Sequence, residues 1–158
     1  IKKFYPLHYQ VGQYAVELIK KELRLDCPDD EAASIALHFI NMQNNNNIDE
    51  SIQIMDTVKD ILSIIKYHFQ ISFDEKSINY TRLITHIQYF AQRLVHNEFY
   101  ESSDNDLYKE IKKMYPQSYH CVQKIKKYVD DVYRCHLSDE EETYLILHIH
   151  RVTYRDDK

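Results

Sequence analysis

The sequence predicts an all-α protein of about seven helices, and three observations support this prediction. Apolar residues recur at helical spacing along almost the whole chain of 158 residues. No segment shows a convincing period-2 alternation of the kind that predicts strands. The chain has one glycine and three prolines, which is too few for the turns of an all-β fold and excludes glycine-rich phosphate-binding loops.

Composition narrows the class of protein further. The 20 Lys and Arg and 25 Asp and Glu give a net charge of −5, which is not the basic field of a dedicated nucleic-acid-binding surface. Three cysteines without CxxC spacing favour reduced thiols over a disulfide framework or a zinc site. No apolar run has membrane-spanning length. We therefore predict a cytoplasmic protein without cofactor, metal or membrane insertion.

The first two helices are amphipathic and are followed by a polar break. The apolar residues of the first, about 14 residues long, are Val11, Ala15, Leu18, Ile19 and Leu23. Asp29 and Asp30 are cap candidates for the second helix, whose apolar stripe is Ile35, Ala36, Phe39 and Met42. Four consecutive asparagines at 44–47 predict a linker.

The rest of the chain continues the helical pattern. The predicted helices span roughly 49–69, 75–96, 106–114, 118–134 and 139–154, with a polar loop at 102–105. Ser138 followed by Glu141 has the capping-box pattern, in which each residue of the pair satisfies a backbone N–H at the start of the helix.

The chain contains an internal repeat. Sliding it by 110 residues aligns Tyr5-Pro6 with Tyr115-Pro116 and Leu37-His38 with Leu147-His148, with 12 identities in 40 positions. Average residue usage would give roughly two or three. Residues 1–43 are therefore predicted to be the C-terminal half of a unit, with a linker at 44–47 and one complete copy at 48–158. The first half of the earlier copy is expected to precede Ile1.

Three of the nine histidines are singled out. The repeat retains His38 and His148, and each lies seven residues after a glutamate, Glu31 or Glu141, which is two turns along one helix face. One hypothesis is a packed histidine in a duplicated core. The other is a reactive imidazole that accepts a phosphoryl group or acts as a protonation switch.

His86 is the third, because it lies in the middle of a helix with a cation nearby. Arg82 is four residues before it on the same face, and Arg151 is placed similarly, three residues after His148. A guanidinium can bind a phosphoryl group by charge-assisted hydrogen bonds. We predict His38, His86 and His148 as phosphorylation sites, with Arg82 and Arg151 as phosphate-supporting residues.

Four segments of the chain match a known family in order and over nearly the whole length. They are FYPLHYQVGQYAVELIKKEL, DDEAASIALHFINMQ, IKYHFQISFDEKSINYTRLITHIQYFAQRL and EEETYLILHIHRV. The chain resembles the PTS regulation domains (PRDs) of BglG/SacY/LicT-type transcription antiterminators. The motifs IALH, YxRxxTHxxxFxxRL and YLxLHIxR are specific in combination, although each alone would be weak.

The resemblance implies a fold and a role. Each PRD of that family is a helical bundle with two regulatory histidines, so His38 resembles the second of a first PRD, and His86 and His148 resemble the two of a second. The resemblance also implies a non-enzymatic homodimer that is phosphorylated by the phosphocarrier HPr and under control of a sugar-specific enzyme II. RNA would be bound only through an N-terminal domain outside this chain.

Other roles stay open from the sequence. PRDs also occur in DNA-binding transcriptional activators, and adjacent PRDs favour the antiterminator type only moderately. A histidine phosphotransfer relay bundle would need a carboxylate acceptor that the sequence does not specify. A purely structural dimerisation module would use its histidines for packing alone.

Overall fold

The computed structural model describes residues 1–99 and 105–154, and these form seven α-helices without a strand. The helices are α1 (Pro6–Leu23), α2 (Glu31–Asn44), α3 (Ile48–Phe69), α4 (Ile78–His96), α5 (Asn105–Met114), α6 (Pro116–Tyr133) and α7 (Asp139–Thr153). The all-α prediction is confirmed. Positions 102–104 of the predicted polar loop lie outside the described residues. No helix within the described ranges has the length and apolarity needed to cross a bilayer.

The chain divides into two compact units, Ile1–Asp56 and Thr57–Lys158, with the boundary inside α3. The sequence instead predicts a break at the four asparagines. Those residues form a short, well-bonded turn: Asn45 adopts the left-handed conformation after α2, and Asn47 and Glu50 exchange backbone-to-side-chain hydrogen bonds of 2.8 and 2.9 Å at the start of α3. Ser51 donates a further hydrogen bond to Asn41, so the first turns of α3 group with α2.

In the first unit, α1 packs against α2 through a close backbone approach. Gly12 and Val16 are the buried residues of α1, and a Cβ atom at Gly12 would lie 2.1 Å from the carbonyl oxygen of Ala32. In the apolar stripe that the sequence predicts for α1, Val11, Leu18 and Leu23 are exposed, whereas Ala15 and Ile19 are half-buried. Helical periodicity locates an apolar face but does not tell which face a neighbouring helix covers.

In the second unit, α7 packs on α4, α5 and α6. Its apolar face, Leu145, Ile146 and Ile149, is fully buried. At its start, Ser138 Oγ accepts a hydrogen bond of 3.2 Å from the backbone N–H of Glu141, as the capping-box pattern predicts for the serine. Near its end, the backbone carbonyl of Arg151 accepts a hydrogen bond of 3.2 Å from the Asn79 side chain on α4.

The buried carboxylate of Glu142 joins three helices of this unit. Glu142 is 0% exposed and accepts hydrogen bonds from Tyr108 on α5 at 2.8 Å and from Gln123 and Lys126 on α6 at 2.8 and 2.6 Å. A buried carboxylate is tolerated only when it is paired and hydrogen-bonded. These bonds therefore fix the rotation of α7 about its own axis.

The repeat found in the sequence is also a repeat of backbone structure. Both α1 and α6 have 18 residues, begin after a tyrosine of similar conformation (φ −132° at Tyr5 and −126° at Tyr115) and have proline in the first turn. Both end at an arginine in the left-handed region, with φ 53° at Arg24 and 51° at Arg134. Proline suits the first turn because its missing N–H has no helical partner there.

The cap predictions are confirmed for Ser138 at the start of α7, whose Glu141 carboxylate binds Arg93 instead, and are partly wrong for α2. Asp30 occupies the N-cap position of α2, but its side chain makes no capping bond. Asp29 instead accepts a hydrogen bond of 2.7 Å from Lys20 on α1. The helix α4, predicted from residue 75, begins at Ile78 because Ser77 caps it through the backbone N–H of Tyr80.

Replacing Gly12→Ala should destabilise the first unit by about 1–3 kcal/mol, since the added methyl must push α1 away from α2. The measurement is the free energy of unfolding from urea titration. The exposed neighbour Gln13→Ala is the matched control and should change little. Equal stabilities of the Gly12→Ala and Gln13→Ala variants would contradict the close approach.

Replacing Lys126→Met should destabilise the second unit by about 2–3 kcal/mol, because the buried Glu142 loses its cation. The control is Lys109→Met, which removes a surface pair whose side chains are 59% and 94% exposed and so should change stability by less than about 0.5 kcal/mol. Urea unfolding of both variants gives the comparison. A smaller loss of stability for Lys126→Met than for Lys109→Met would mean that the Lys126–Glu142 pair does not stabilise the second unit.

Candidate functional site

Two of the histidines predicted as phosphorylation sites lie face to face. The ring of His86 on α4 stacks on that of His148 on α7, with ring centroids 4.9 Å apart and planes 25° from parallel. The ring of Tyr144, one turn before His148, lies 5.7 Å from that of His86. The packing of α7 on α4 thus brings together two side chains that are far apart in the sequence.

A carboxylate and a guanidinium complete this cluster. Arg93, two turns after His86 on α4, donates a hydrogen bond of 2.5 Å to Glu141 Oε1 on α7. The other carboxylate oxygen, Oε2, is 4.0 Å from His86 Nε2. Glu141 Oε2 and His86 Nε2 are both buried, and neither has a hydrogen-bond partner among the described residues.

The cluster opens into a cleft of about 910 Å³ within the second unit. His86, Arg93, Glu141 and His148 line it, together with residues 135–141 and the aromatic rings of Tyr89, Phe99 and Tyr144. Tyr89 and Tyr144 are exposed. The cleft therefore gives another molecule a route to the histidine pair.

Burial and neighbouring cations keep both histidines neutral near pH 7. Burial, together with the smaller effects of His148 and Arg93, lowers the pKa of His86 to about 4. Since His86 is then uncharged, its 4.0 Å separation from Glu141 is not an ion pair. Burial also disfavours the charged form of Glu141 and so raises its pKa, although the charge of Arg93 opposes this effect. A neutral imidazole has a free lone pair and is a competent nucleophile.

Arg82 and Arg151, the predicted phosphate-supporting residues, both act on His148. Burial lowers the pKa of His148, and the positive charges of Arg151 and then Arg82 lower it further. The spacing on α4 pairs Arg82 with His86, whereas the pKa on which its charge acts is that of His148. The guanidinium that acts on His86 is Arg93.

His38 lies in the other unit, on the exposed side of α2. It follows Glu31 by seven residues, as His148 follows Glu141, and Glu31 is exposed as well. Its own surroundings thus contain no equivalent of the stacked pair among the residues that the structure describes.

Sequence reasoning missed Arg93, and it placed Glu141 on the face of His148 without predicting its partner. Arg93 is seven residues after His86, so two turns along one face was an available signal. Glu141 was interpreted as a capping-box residue, but its carboxylate bonds Arg93. In residues 1–99 and 105–154, no group of three or more His, Cys, Asp or Glu side chains is placed to hold a metal ion.

Comparison with known proteins gives consistent matches. A family described as PRD domain matches residues 1–42 and 59–152. The chain is 38% identical over 151 residues to transcription antiterminator LicT of Bacillus subtilis (strain 168), which covers 96% of this chain and 54% of that protein. It is 34% identical over 152 residues to a beta-glucoside operon antiterminator of Dickeya chrysanthemi, with shares of 96% and 54%. It is 32% identical over 148 residues to protein GlcT of Staphylococcus epidermidis, with shares of 94% and 52%. The chain thus spans about half the length of these relatives.

The lowered pKa of His86 predicts a pH-dependent stability. Between pH 6.5 and about 4 the unfolded chain binds a proton at this residue and the folded chain does not, so the free energy of unfolding falls as the pH falls through that window. The contribution is on the order of 2 kcal/mol. Urea titrations of the wild type and His86→Gln between pH 4 and 7.5 measure it, and the variant should lose that part of the slope.

The control for this measurement is Gln13→Ala, which changes an exposed side chain of the first unit and neither adds nor removes a titratable group. It should keep the wild-type pH profile. Parallel profiles for the wild type and His86→Gln would show that His86 titrates alike in the folded and unfolded chains.

Proposed function

This chain belongs to the PRD domain family, and we propose that it is the regulatory region of a transcription antiterminator controlled by phosphorylation of His38, His86 and His148. Matched relatives are named a transcription antiterminator and a beta-glucoside operon antiterminator. The observation that supports the proposal most is the stacked pair of neutral imidazoles at an open cleft. The role is regulatory rather than enzymatic.

The chemistry proposed for His86 is a single phosphoryl transfer. The lone pair on the neutral imidazole attacks the phosphorus of a phosphohistidine on the donor protein. A new P–N bond forms while the donor P–N bond breaks, and its electron pair stays on the donor nitrogen. His86 releases the proton of its other ring nitrogen and the departing donor imidazole takes up one proton, so that both rings are neutral after the transfer. The proposed donor is the phosphocarrier HPr, with a sugar-specific enzyme II setting the level of phosphorylation.

Nearby cations would stabilise the product. A phosphoryl group adds roughly −1.5 to −2 charge, by analogy with other phosphorylated residues. Arg93 binds Glu141 beside His86, and its positive charge lowers the pKa of His86. The charges of Arg151 and Arg82 lower the pKa of His148 in the same way. Charge-assisted hydrogen bonds to phosphoryl oxygens are about twice as strong as neutral ones.

The proposed output is a change of helix packing in a homodimer. The new charge would appear between α4 and α7. Because α7 also contacts α5 and α6, a shift of α7 would change the packing of all four helices. Moving a population from 1:99 to 99:1 takes about 5.5 kcal/mol of differential stabilisation, which several phosphohistidines in a symmetric dimer can supply together. The exposed rings of Tyr89 and Tyr144 suit a protein partner at this cleft.

In the longer protein, this switch would act on a separate RNA-binding domain in the cytoplasm. That domain would bind the nascent transcript and prevent a terminator from forming. His38, exposed on α2, is proposed as a third acceptor, in a PRD of which this chain holds residues 1–43. The second PRD is proposed to span residues 48–158.

Incubation of the chain with phosphoenolpyruvate, enzyme I and HPr tests the proposal. Mass spectrometry under alkaline conditions should find acid-labile phosphate on His86 and His148, with a shift of oligomeric state on gel filtration. His86→Ala should remove the label at that position. The control His136→Ala changes an exposed histidine that also lines the cleft and should leave the labelling unchanged.

Two results would contradict the proposal. One is the absence of phosphate from all three named histidines in a chain that circular dichroism shows to be folded. The other is label that disappears in His136→Ala and persists in His86→Ala and His148→Ala.

A further inference from the structure

Resting on the proposed function, we infer that Glu141 is a gate for phosphorylation of His86. Its carboxylate blocks the space that the phosphoryl group would enter, and on phosphorylation Arg93 releases this carboxylate and binds the phosphoryl group instead. Glu141 lies between the two residues, with Oε1 2.5 Å from Arg93 Nη2 and Oε2 4.0 Å from His86 Nε2. One carboxylate thus bridges the nucleophile and the cation.

The position of Glu141 is incompatible with a phosphoryl group on His86 Nε2. A tetrahedral group bonded to that nitrogen would bring its terminal oxygens close to Glu141 Oε2, which lies 4.0 Å from the nitrogen. Both groups are anionic, and like charges at contact distance in a partly desolvated site repel strongly. The side chain of Glu141 is only 20% exposed, so solvent screens this repulsion little. Phosphorylation must therefore move the carboxylate away.

Arg93 then gains a new anion without having to move far. Its guanidinium already lies at the cluster, and its side chain is only 26% exposed. A phosphoryl oxygen on His86 would enter the space vacated by the carboxylate and accept the hydrogen bond that Glu141 accepts in this structure. The cation is thus paired before and after the transfer, to a different partner each time.

The displaced carboxylate has a second place to go. The spacing of Ser138 and Glu141 is that of a capping box, in which the glutamate accepts from the N–H of the serine. The structure shows the serine half of the box, Ser138 Oγ with the Glu141 N–H, while the carboxylate is bound to Arg93. Release from Arg93 would allow Glu141 to complete the box. Glu141 therefore either ties the start of α7 to α4 or caps α7.

The test uses phosphoramidate, a small donor whose P–N bond breaks with loss of ammonia, so that no donor protein is needed. Glu141→Gln keeps the shape of the side chain and removes its charge. It should raise the initial rate of labelling at His86 by about 5–10-fold, in the range of a modest coupling free energy. The label on His148 in the same molecules is the internal reference and should change much less.

Two further variants complete the comparison. Glu31→Gln changes the equivalent glutamate of the first repeat and should leave the labelling of His86 unchanged. Arg93→Gln removes the cation and should lower the steady level of phosphate on His86 by about 5-fold. A purely structural role of Glu141 would change the labelling of His86 and His148 together, and so would not alter their ratio.

The inference is overturned if Glu141→Gln and the wild type are labelled at His86 at the same rate, or if phosphoramidate labels His86 in neither. It is also overturned if Arg93→Gln raises the level of label. These outcomes are separate from the reaction of the wild type with HPr, which tests the proposed function alone. A wild type that HPr phosphorylates but that lacks the Glu141 effect would keep the function and exclude the gate.

Discussion

The arrangement of the second unit depends on one buried negative charge. Glu142 is fully buried, and its carboxylate is bound from α5 by Tyr108 and from α6 by Gln123 and Lys126. Because such a charge cannot be left without partners, α7 has a single acceptable rotation against these helices. The preceding residue, Glu141, then projects toward α4, and His148, two turns further along, meets His86. The position of the histidine pair thus follows from a carboxylate that is not part of the cluster.

The two copies of the repeat bring their helices together by different physical means. At the position of Glu142 the first copy has Ala32, and at the position of Val122 it has Gly12. There α1 and α2 meet by direct approach of their backbones, since even one methyl group at Gly12 would overlap the carbonyl of Ala32. In the second copy, the longer side chains of Gln123 and Lys126 on α6 reach Glu142 on α7 and join the two helices by hydrogen bonds. The two copies therefore share the same helix starts and ends, whereas the contacts between their helices differ.

The histidine cluster combines a neutral nucleophile with charges that already balance each other. Burial and the nearby positive charges favour the neutral form of His86, and Arg93 and Glu141 form a pair beside it. A single added phosphoryl group would disturb this balance more than it would on a solvated surface, because the site is partly desolvated. Since the affected side chains belong to α4 and α7, the disturbance would bear directly on the contact between those helices.

The sequence by itself determined the all-α class, most helix bounds to within a few residues and the repeat, because helical periodicity, prolines and capping residues are local signals. It also singled out His86 and His148 through their positions in the helices and the repeat. Only the tertiary structure decided that their rings stack, that Arg93 pairs with Glu141 and that Glu142 is buried. These contacts join residues far apart in the chain. They depend on the rotation and depth at which helices pack, which helical spacing within one element does not specify.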